Sequence, residues 1–437
     1  MSLESSQRGF AILGATLIDG SGSRPVPTSA VLVGADGRIL ATGRRGTVQV
    51  PAGVPVVEAT GLTLMPGLID GHVHLAWDKS IYAAATRGDY ARRLKMRDAE
   101  RELLRAAHHA QLALVAGVTT VRDCGADDFS ILALRDAVSS GELAGPRILA
   151  CGKPITTTGG HIYSDWGVDT ADGARTAVRL LASRGVDFVK LVVSGGTTTP
   201  GTTISRAQYG IGEVRAVVED AHRLGLPVAG HCISTDSIGI AAGAGIDTIE
   251  HCSWIGEDPA ATVTDPLAVE AMVRYDSRVD HAIIPRPYLF PEEGGGEPTA
   301  EESWWLAMLR VRWPFLRTMR EAGVTVFLGT DACFGAWPGT ALWPGFQDMA
   351  RALEILVRHG GFAPLDAIGL ATGEAARALG LGSEIGTVAP GKRADLLLLR
   401  GDPLSDMRAL RSVFRVYRDG QLTAEEGSLV LPGGRVG

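Results

Sequence analysis

The stretch Met65-Pro66-Gly67-Leu68-Ile69-Asp70-Gly71-His72-Val73-His74-Leu75 decides how the rest of the chain is read. It starts as an apolar run and ends in two histidines one residue apart. In a strand, residues i and i+2 point to the same face, so His72 and His74 project side by side. Two imidazoles on one rigid backbone make half of a metal site before any other residue arrives. An isolated His-x-His is more often a pair of ordinary histidines beside a turn. Here the pair ends an apolar strand, follows Asp70-Gly71, and is echoed by similar strand ends further along.

Outward from that stretch, residues 61 to about 380 alternate apolar strands with amphipathic helices. Strands are expected at Leu64–Leu75, Thr119–Cys124, Arg147–Cys151, Phe188–Val193, Pro227–Cys232, Asp247–Cys252, His281–Ile284 and Val324–Asp331. Helices are expected between them, for example Tyr90–Ala116, Ala171–Arg184, Glu213–Leu224 and Trp304–Ala322. Continuous apolar strands alternating with helices mean a parallel sheet buried on both faces. Eight such units close naturally into a (β/α)8 barrel. An open doubly wound sheet is the alternative, but no Gly-rich dinucleotide or phosphate fingerprint follows the first strand. The segment Pro291-Glu292-Glu293-Gly294-Gly295-Gly296-Glu297-Pro298 reads as a surface loop.

The flanks read differently. Residues 9–58 are short strands and turns with no helical period, and Ile385 onward returns to the same pattern. Two all-β tails suggest one discontinuous domain, residues 1–60 plus 384–437, around a middle unit at 61–383. Two independent β modules are the alternative.

Composition narrows the class. The 437 residues are 45% hydrophobic and 21% charged, ordinary for a soluble globular enzyme, with a formal charge of −7. That charge argues against nucleic acid or an anionic membrane surface as partner. The first ten residues lack the basic and apolar regions of a secretory signal, and no apolar run is long enough to span a bilayer. A cytoplasmic protein is expected. The cysteines, Cys124, Cys151, Cys232, Cys252 and Cys333, form no disulfide framework and are read as reduced, buried residues.

In a barrel of this kind, residues at the C-terminal strand ends converge on one mouth. Those ends carry His72 and His74, then Lys190, His231, His251 and Asp331. Each follows or lies within an apolar run. His108, His109, His222 and His359 fall on helical stretches and are read as packing or solvated residues.

These residues, with Asp70 before the histidine pair and the strand Ala389-Pro390-Gly391-Lys392-Arg393-Ala394-Asp395-Leu396, resemble the metal-dependent amidohydrolase superfamily over nearly the whole chain. The resemblance implies an α/β fold, a distorted (β/α)8 TIM barrel with a small β-sandwich domain formed by both termini. It implies two divalent metal ions, usually zinc, with His72, His74 and Asp331 on one and His231 and His251 on the other. A carboxylated Lys190 would bridge them. An uncharged, desolvated lysine can react with carbon dioxide, and burial lowers its pKa in that direction. Asp331 is then expected to act also as general base.

Thr158-Gly159-Gly160-His161 and Ser194-Gly195-Gly196-Thr197-Thr198-Thr199-Pro200-Gly201 resemble the imidazolonepropionase-like and Xaa-Pro dipeptidase-like branch. His161 is expected to hydrogen-bond the scissile carbonyl or a substrate carboxylate, or else to be a loop histidine bonded to backbone. The Gly/Thr loop offers backbone N–H groups to an anion, or is simply a turn. Two departures stand out. Mononuclear deaminases carry a glutamate three residues past the fifth-strand histidine, where Ser234 stands here. Peptidase members often carry an aromatic residue close after that histidine, whereas His231 is followed by Cys232-Ile233-Ser234.

The expected reaction is hydrolysis of an amide in an N-acyl amino acid or dipeptide. Carbamate or xenobiotic amide hydrolysis, or a mononuclear deaminase or imidazolone-type hydrolase, are the alternatives. A non-catalytic scaffold would show gaps among the six ligand positions, and none is empty. Arg206 and Tyr209 after the Gly/Thr loop, Arg286 and Tyr288 after the seventh strand, and Trp337 are candidates for the substrate pocket. A small-molecule substrate and a homo-oligomer are expected.

Overall fold

The computed structural model describes residues 9–77, 86–163, 165–258, 262–286, 289–290, 292, 297–333, 345–431 and 434–435. Side chains at 300–302, 304–305, 308–311, 431 and 434–435 are outside that description. So are Tyr288, Trp337, Trp343 and most of the 291–298 loop, together with the side chains of Trp304 and Trp305.

The N-terminal strands are β1 (Phe10–Leu13), β2 (Thr16–Leu17), β3 (Ser29–Val33), β4 (Ile39–Arg44), β5 (Val56–Glu58) and β6 (Leu62–Pro66). Then come β7 (Leu68–Val73), β8 (Val118–Asp123), β9 (Arg147–Ala150), β10 (Val189–Val192), β11 (Val228–Ser234), β12 (Thr248–Ile255), β13 (Arg278–Ala282) and β14 (Val326–Gly329). The chain ends in β15 (Leu396–Arg400), β16 (Val413–Arg418), β17 (Gln421–Glu425), β18 (Ser428–Leu431) and β19 (Gly434–Arg435).

β7 to β14 form two parallel sheets, ordered β7-β8-β9 and β10-β11-β12-β13-β14. Single parallel bridges join them at both margins, Ile155 with Leu191 and Val73 with Ala332. A third sheet, β4-β3-β1-β5, is wholly N-terminal, while β19-β18-β17-β16-β15-β6-β2 mixes both ends of the chain through antiparallel pairing of β15 with β6. These last two sheets share one apolar cluster, including Ile12 and Val31 from one and Leu64, Leu396 and Leu398 from the other.

The run expected as one strand at Leu64–Leu75 is two. β6 pairs with β15, whereas β7 pairs with β8. Gly67 is the break: a Cβ there would lie 2.0 Å from Thr119 Oγ1, so only glycine lets the chain pass from one sheet to the other. Both halves are apolar, which hid the boundary. The helix expected at Tyr90–Ala116 is also two, Arg87–Leu94 and Ala99–Val115, because Asp98 caps the second by accepting from the Arg101 N–H. The seventh parallel strand starts three residues earlier than expected, at Arg278, since Arg278 and Asp280 interrupt its apolar pattern.

β7 and β14 sit close together. Asp70 in β7 accepts from the Thr330 N–H at 2.9 Å and the Thr330 hydroxyl at 2.6 Å. Next to this clip, a Cβ on Gly329 would be 2.4 Å from the His72 Cβ. On the opposite side, Arg147 of β9 pairs with Asp395 at 2.6 Å and Asp419 at 2.9 Å, tying the parallel strands to the mixed sheet.

Gly329→Ala should therefore force β14 off β7. Overpacking of this kind costs about 1–3 kcal/mol, and a thermal melt reads it directly. An unchanged melting temperature would show that the two strands can separate without cost.

Candidate metal centre

The parallel strands deliver their functional side chains at one end. His72 is in β7 and His74 just beyond it; Lys190 lies in β10, His231 in β11, His251 in β12, and Asp331 two residues past β14. The His72 and His74 ring centroids are 5.3 Å apart, His72 and His251 5.1 Å, and His231 and His251 4.5 Å. Asp331 Oδ1 lies 3.4 Å from His74 Nε2 and 3.6 Å from His72 Nε2. These three ligand atoms are close enough to share one ion. His72 Nε2 is buried with no hydrogen-bond partner, an orphan that a metal would satisfy. Imidazole and carboxylate donors of this kind suit zinc.

The outer ring nitrogens are held from behind. His72 Nδ1 is 2.8 Å from Asp280 Oδ2, and His74 Nδ1 is 3.0 Å from the Gly125 carbonyl. Each bond fixes its ring so that Nε2 faces the cluster. Asp123 accepts from the Leu75 and Gly125 N–H groups at 2.7 and 3.2 Å, bracing the turn after His74.

Lys190 is buried with its ammonium against Glu250 Oε2. Glu250 Oε1 accepts from Arg122 at 3.0 Å and faces the Cys124 thiol at 3.3 Å. Arg122 also donates through Nε to the Gly71 carbonyl at 2.7 Å and lies between the Phe188 and Phe327 rings. Glu250, Arg122 and Asp280 were not singled out in the sequence, and Cys124 was read there only as a buried, reduced cysteine. Glu250 directly precedes His251, where strand alternation assigns it to the other face, and Asp280 fell before the expected start of its strand. A charged residue inside an apolar strand was the available signal for both.

The remaining candidates are placed as follows. The His161 ring is 4.8 Å from that of His231, and its backbone N–H donates to Gln208 Oε1 at 2.6 Å. The N–H groups of Gly195 and Gly196 are taken by the Arg206 carbonyl and Thr202 Oγ1, so at these two positions the Gly/Thr loop is a self-bonded turn. The Tyr209 hydroxyl donates to the Val168 carbonyl at 2.6 Å, a packing contact. Arg206 is exposed and Arg286 half-buried. Trp313 is buried and stacked on His359.

A model of the amidohydrolase family matches residues 63–423. The chain belongs to the amidohydrolase family. Ochratoxinase of Aspergillus niger is 27% identical over 391 residues, covering 82% of this chain and 75% of that protein. Imidazolonepropionase of Symbiobacterium thermophilum is 25% identical over 436 residues, covering 91% of each. The crystal structure of a Xaa-Pro dipeptidase with bound methionine aligns with a TM-score of 0.78 at 26% identity, covering 95% of this chain and all of the other. The expected branch is thereby met. This amidohydrolase is a hydrolase of carbon–nitrogen bonds from a metal-dependent family. Among its described residues no helix is long and apolar enough to cross a membrane.

Burial dominates the electrostatics. It holds His161 and His251 down to about 3, and pushes His72, His231 and His281 well below the usual imidazole range. Lys190 is lowered by the same cause. For Asp331 burial acts upward, but the hydrogen bond with His74 and nearby positive groups outweigh it and hold the carboxyl below its ordinary value.

An unfolded histidine takes up a proton near pH 6.5, whereas these wait for far lower pH. Their contribution to stability is full above about 6.5 and is lost as pH falls towards about 3. Asp70 and Asp280, raised to about 7 by burial, and Asp123, raised to about 6, act in the reverse sense. The five histidines outnumber them. The metal-free protein should therefore lose melting temperature steadily on acidification below about pH 6.5. A flat profile down to about pH 4 would show that these rings are solvated.

Proposed function

We propose that this amidohydrolase holds two divalent metal ions, zinc by its donor set, and cleaves the amide bond of N-acyl amino acids or dipeptides. The observation that carries the reading is Lys190, a lysine buried in a parallel strand among two ligand groups that meet where the His72 and His251 rings lie 5.1 Å apart. His72, His74 and Asp331 would hold one ion, His231 and His251 the other, and a carboxylated Lys190 would lie between. The ions supply Lewis acidity towards the carbonyl and a bound water ionisable near neutrality. Ochratoxinase and the Xaa-Pro dipeptidase among the relatives support an amide substrate by the names they carry.

The chain's own residues supply the rest. Asp331, held ionised, takes the proton of the attacking water and passes it to the leaving amine. His161 has a buried Nδ1 without a partner; in the tautomer protonated there it donates to the scissile carbonyl oxygen. Neutral histidines suit this centre, because a protonated imidazole cannot ligate. Ser234, where deaminases carry a glutamate, caps the helix Thr235–Ala244 by accepting from the Ser237 N–H, a structural task with no proton shuttle in it. None of the five cysteines is in a disulfide and all are buried, as suits a reducing cytoplasm.

The same reading takes the two parallel sheets as one closed (β/α)8 barrel over residues 61–383. The bridges Ile155–Leu191 and Val73–Ala332 support closure at both seams. Residues 1–60 with 384–437 would form the second domain, supported by the apolar cluster that Ile12 and Val31 share with Leu396 and Leu398; β6, which pairs with β15, would join it from just past that boundary.

Protein purified without chelator should contain about two metal equivalents per chain, since the donors form two sets. Elemental analysis giving one equivalent at full activity would leave Lys190 without a role. Lys190→Ala should lose metal and activity together, with partial return on adding a small carboxylic acid. An intact mass showing an unmodified lysine in active, fully metallated enzyme would rule the bridge out.

Substrate class is tested by rates on an N-acyl amino acid and on its C-terminal amide. The free carboxylate should be preferred by kcat/KM. Equal rates would instead favour carbamates or neutral amides as substrates.

A further inference from the structure

Arg312 is a buried cation with no carboxylate partner among the described residues. It lies on the helix Ala300–Glu321 and is 8% exposed. Among the described residues its guanidinium makes one hydrogen bond, from Nη2 to the backbone carbonyl of His251 at 3.2 Å, and its Nε has no partner. A buried charge is costly unless something in the fold uses it.

The backbone at that carbonyl is unusual. Side chains in a regular strand alternate between faces. Glu250 points to Lys190 and Arg122. His251 should then point away, yet its ring centroid lies 4.5 Å from that of His231 and 5.1 Å from that of His72. Two consecutive residues of β12 thus share one face. The cause is left-handed backbone, with φ of 64° at His251, 44° at Cys252 and 55° at Trp254. The pairing of β11 with β12 shifts register at the same place, between Cys232 and Ser234. Beyond the irregularity, Cys252 Sγ contacts Met319 Sδ on the Arg312 helix at 3.7 Å. Such backbone persists only where its surroundings over-determine it.

We infer that Arg312 is a positioning residue for His251. Its donation to the His251 carbonyl locks the left-handed turn that rotates this imidazole into the mouth beside His231. The helix can hold the guanidinium there because the next turns are seated in the core by Trp313, Leu316 and Met319, each at most 2% exposed. A charged donor suits the task, since a bond from a guanidinium to a carbonyl is stronger than a neutral one. Helix and metal centre are thus coupled through one backbone carbonyl. This inference rests on the two-metal reading, with His231 and His251 as the second ligand set.

The test is titration of the chelator-treated protein with Co2+ alone, following visible absorption and bound metal for wild type, Arg312→Met and Arg312→Lys. In Arg312→Met the second Co2+ should bind about 10- to 100-fold more weakly, the size of effect seen when a ligand loses its outer support. The first Co2+ should be unaffected, and Arg312→Lys should fall between. A purely structural role would weaken both sites alike or lower only the melting temperature, which overturns the proposal. So does a second-site affinity equal to that of wild type. Should Arg312→Met fail to fold, Arg312→Lys decides on the same criterion. A wild-type protein that binds a single Co2+ overturns the two-metal reading and this inference together. Two ions bound equally well by wild type and variants overturn the inference alone.

Discussion

Asp70 joins segments 260 residues apart, and the candidate metal centre depends on that contact. Its carboxylate accepts both the backbone N–H and the hydroxyl of Thr330. It also accepts the His72 N–H at 3.3 Å. One buried group therefore sets the spacing between the strand that carries His72 and His74 and the strand end that carries Asp331. Burial raises the Asp70 carboxyl and outweighs the three bonds that act against it, leaving it at about 7. The Asp331 N–H in turn donates to the His72 carbonyl at 2.8 Å, and the His74 N–H to the Ala332 carbonyl at 2.7 Å. Backbone exchange of this kind leaves little freedom for the distance between the first and last parallel strands.

Behind the ligands lies a second layer of charge that is almost dry. Glu250, Arg122, Asp280 and Lys190 are all buried, and each finds an opposite charge or a histidine ring within the group. Removing one member would strand another, and a stranded buried charge costs several kcal/mol, about 3–5. Lys190 is the member whose state matters most. As an ammonium it lies against Glu250 as an ion pair, whereas as a carbamate it would present an N–H on that side and an anion to the metals.

Much of this was legible in the sequence because ligands at strand ends follow apolar runs. The strand pattern located His72, Lys190, His231, His251 and Asp331 without any knowledge of their neighbours. What it could not locate were residues whose polarity disguised the strand. Asp280 and Arg278 displaced β13 by three residues, and Glu250 was masked by an alternation rule that the backbone breaks. Gly67 passed unnoticed since both sides of it are apolar, although the chain changes sheets there. The substrate-carboxylate candidates were taken from loop positions: Tyr209 donates its hydroxyl to the Val168 carbonyl and Arg206 is exposed. Loop residues have no periodicity to read, so their direction is fixed by tertiary contacts alone.

The distribution of backbone strain separates function from folding. Nine non-glycine residues among those described have positive φ. Four, Thr28, Asp276, Asp419 and Glu426, lie in turns or at a helix end away from the centre. The other five are Ile162 beside His161, the His251, Cys252 and Trp254 group, and Asp331. Left-handed backbone at such residues costs about 1–3 kcal/mol each, and folding alone offers no reason to collect it at two strand ends and the loop that carries His161. At His251 and Asp331 the strain has a visible product, a side chain turned into the mouth where regular strand geometry would have turned it out or left it short. The price is met by the clips around it: Asp70 on Thr330, Asp280 on His72 and Arg312 on the His251 carbonyl. Those polar supports are buried for the same reason the ligands are, because a centre that must keep its histidines neutral has to exclude water from the shell that aims them.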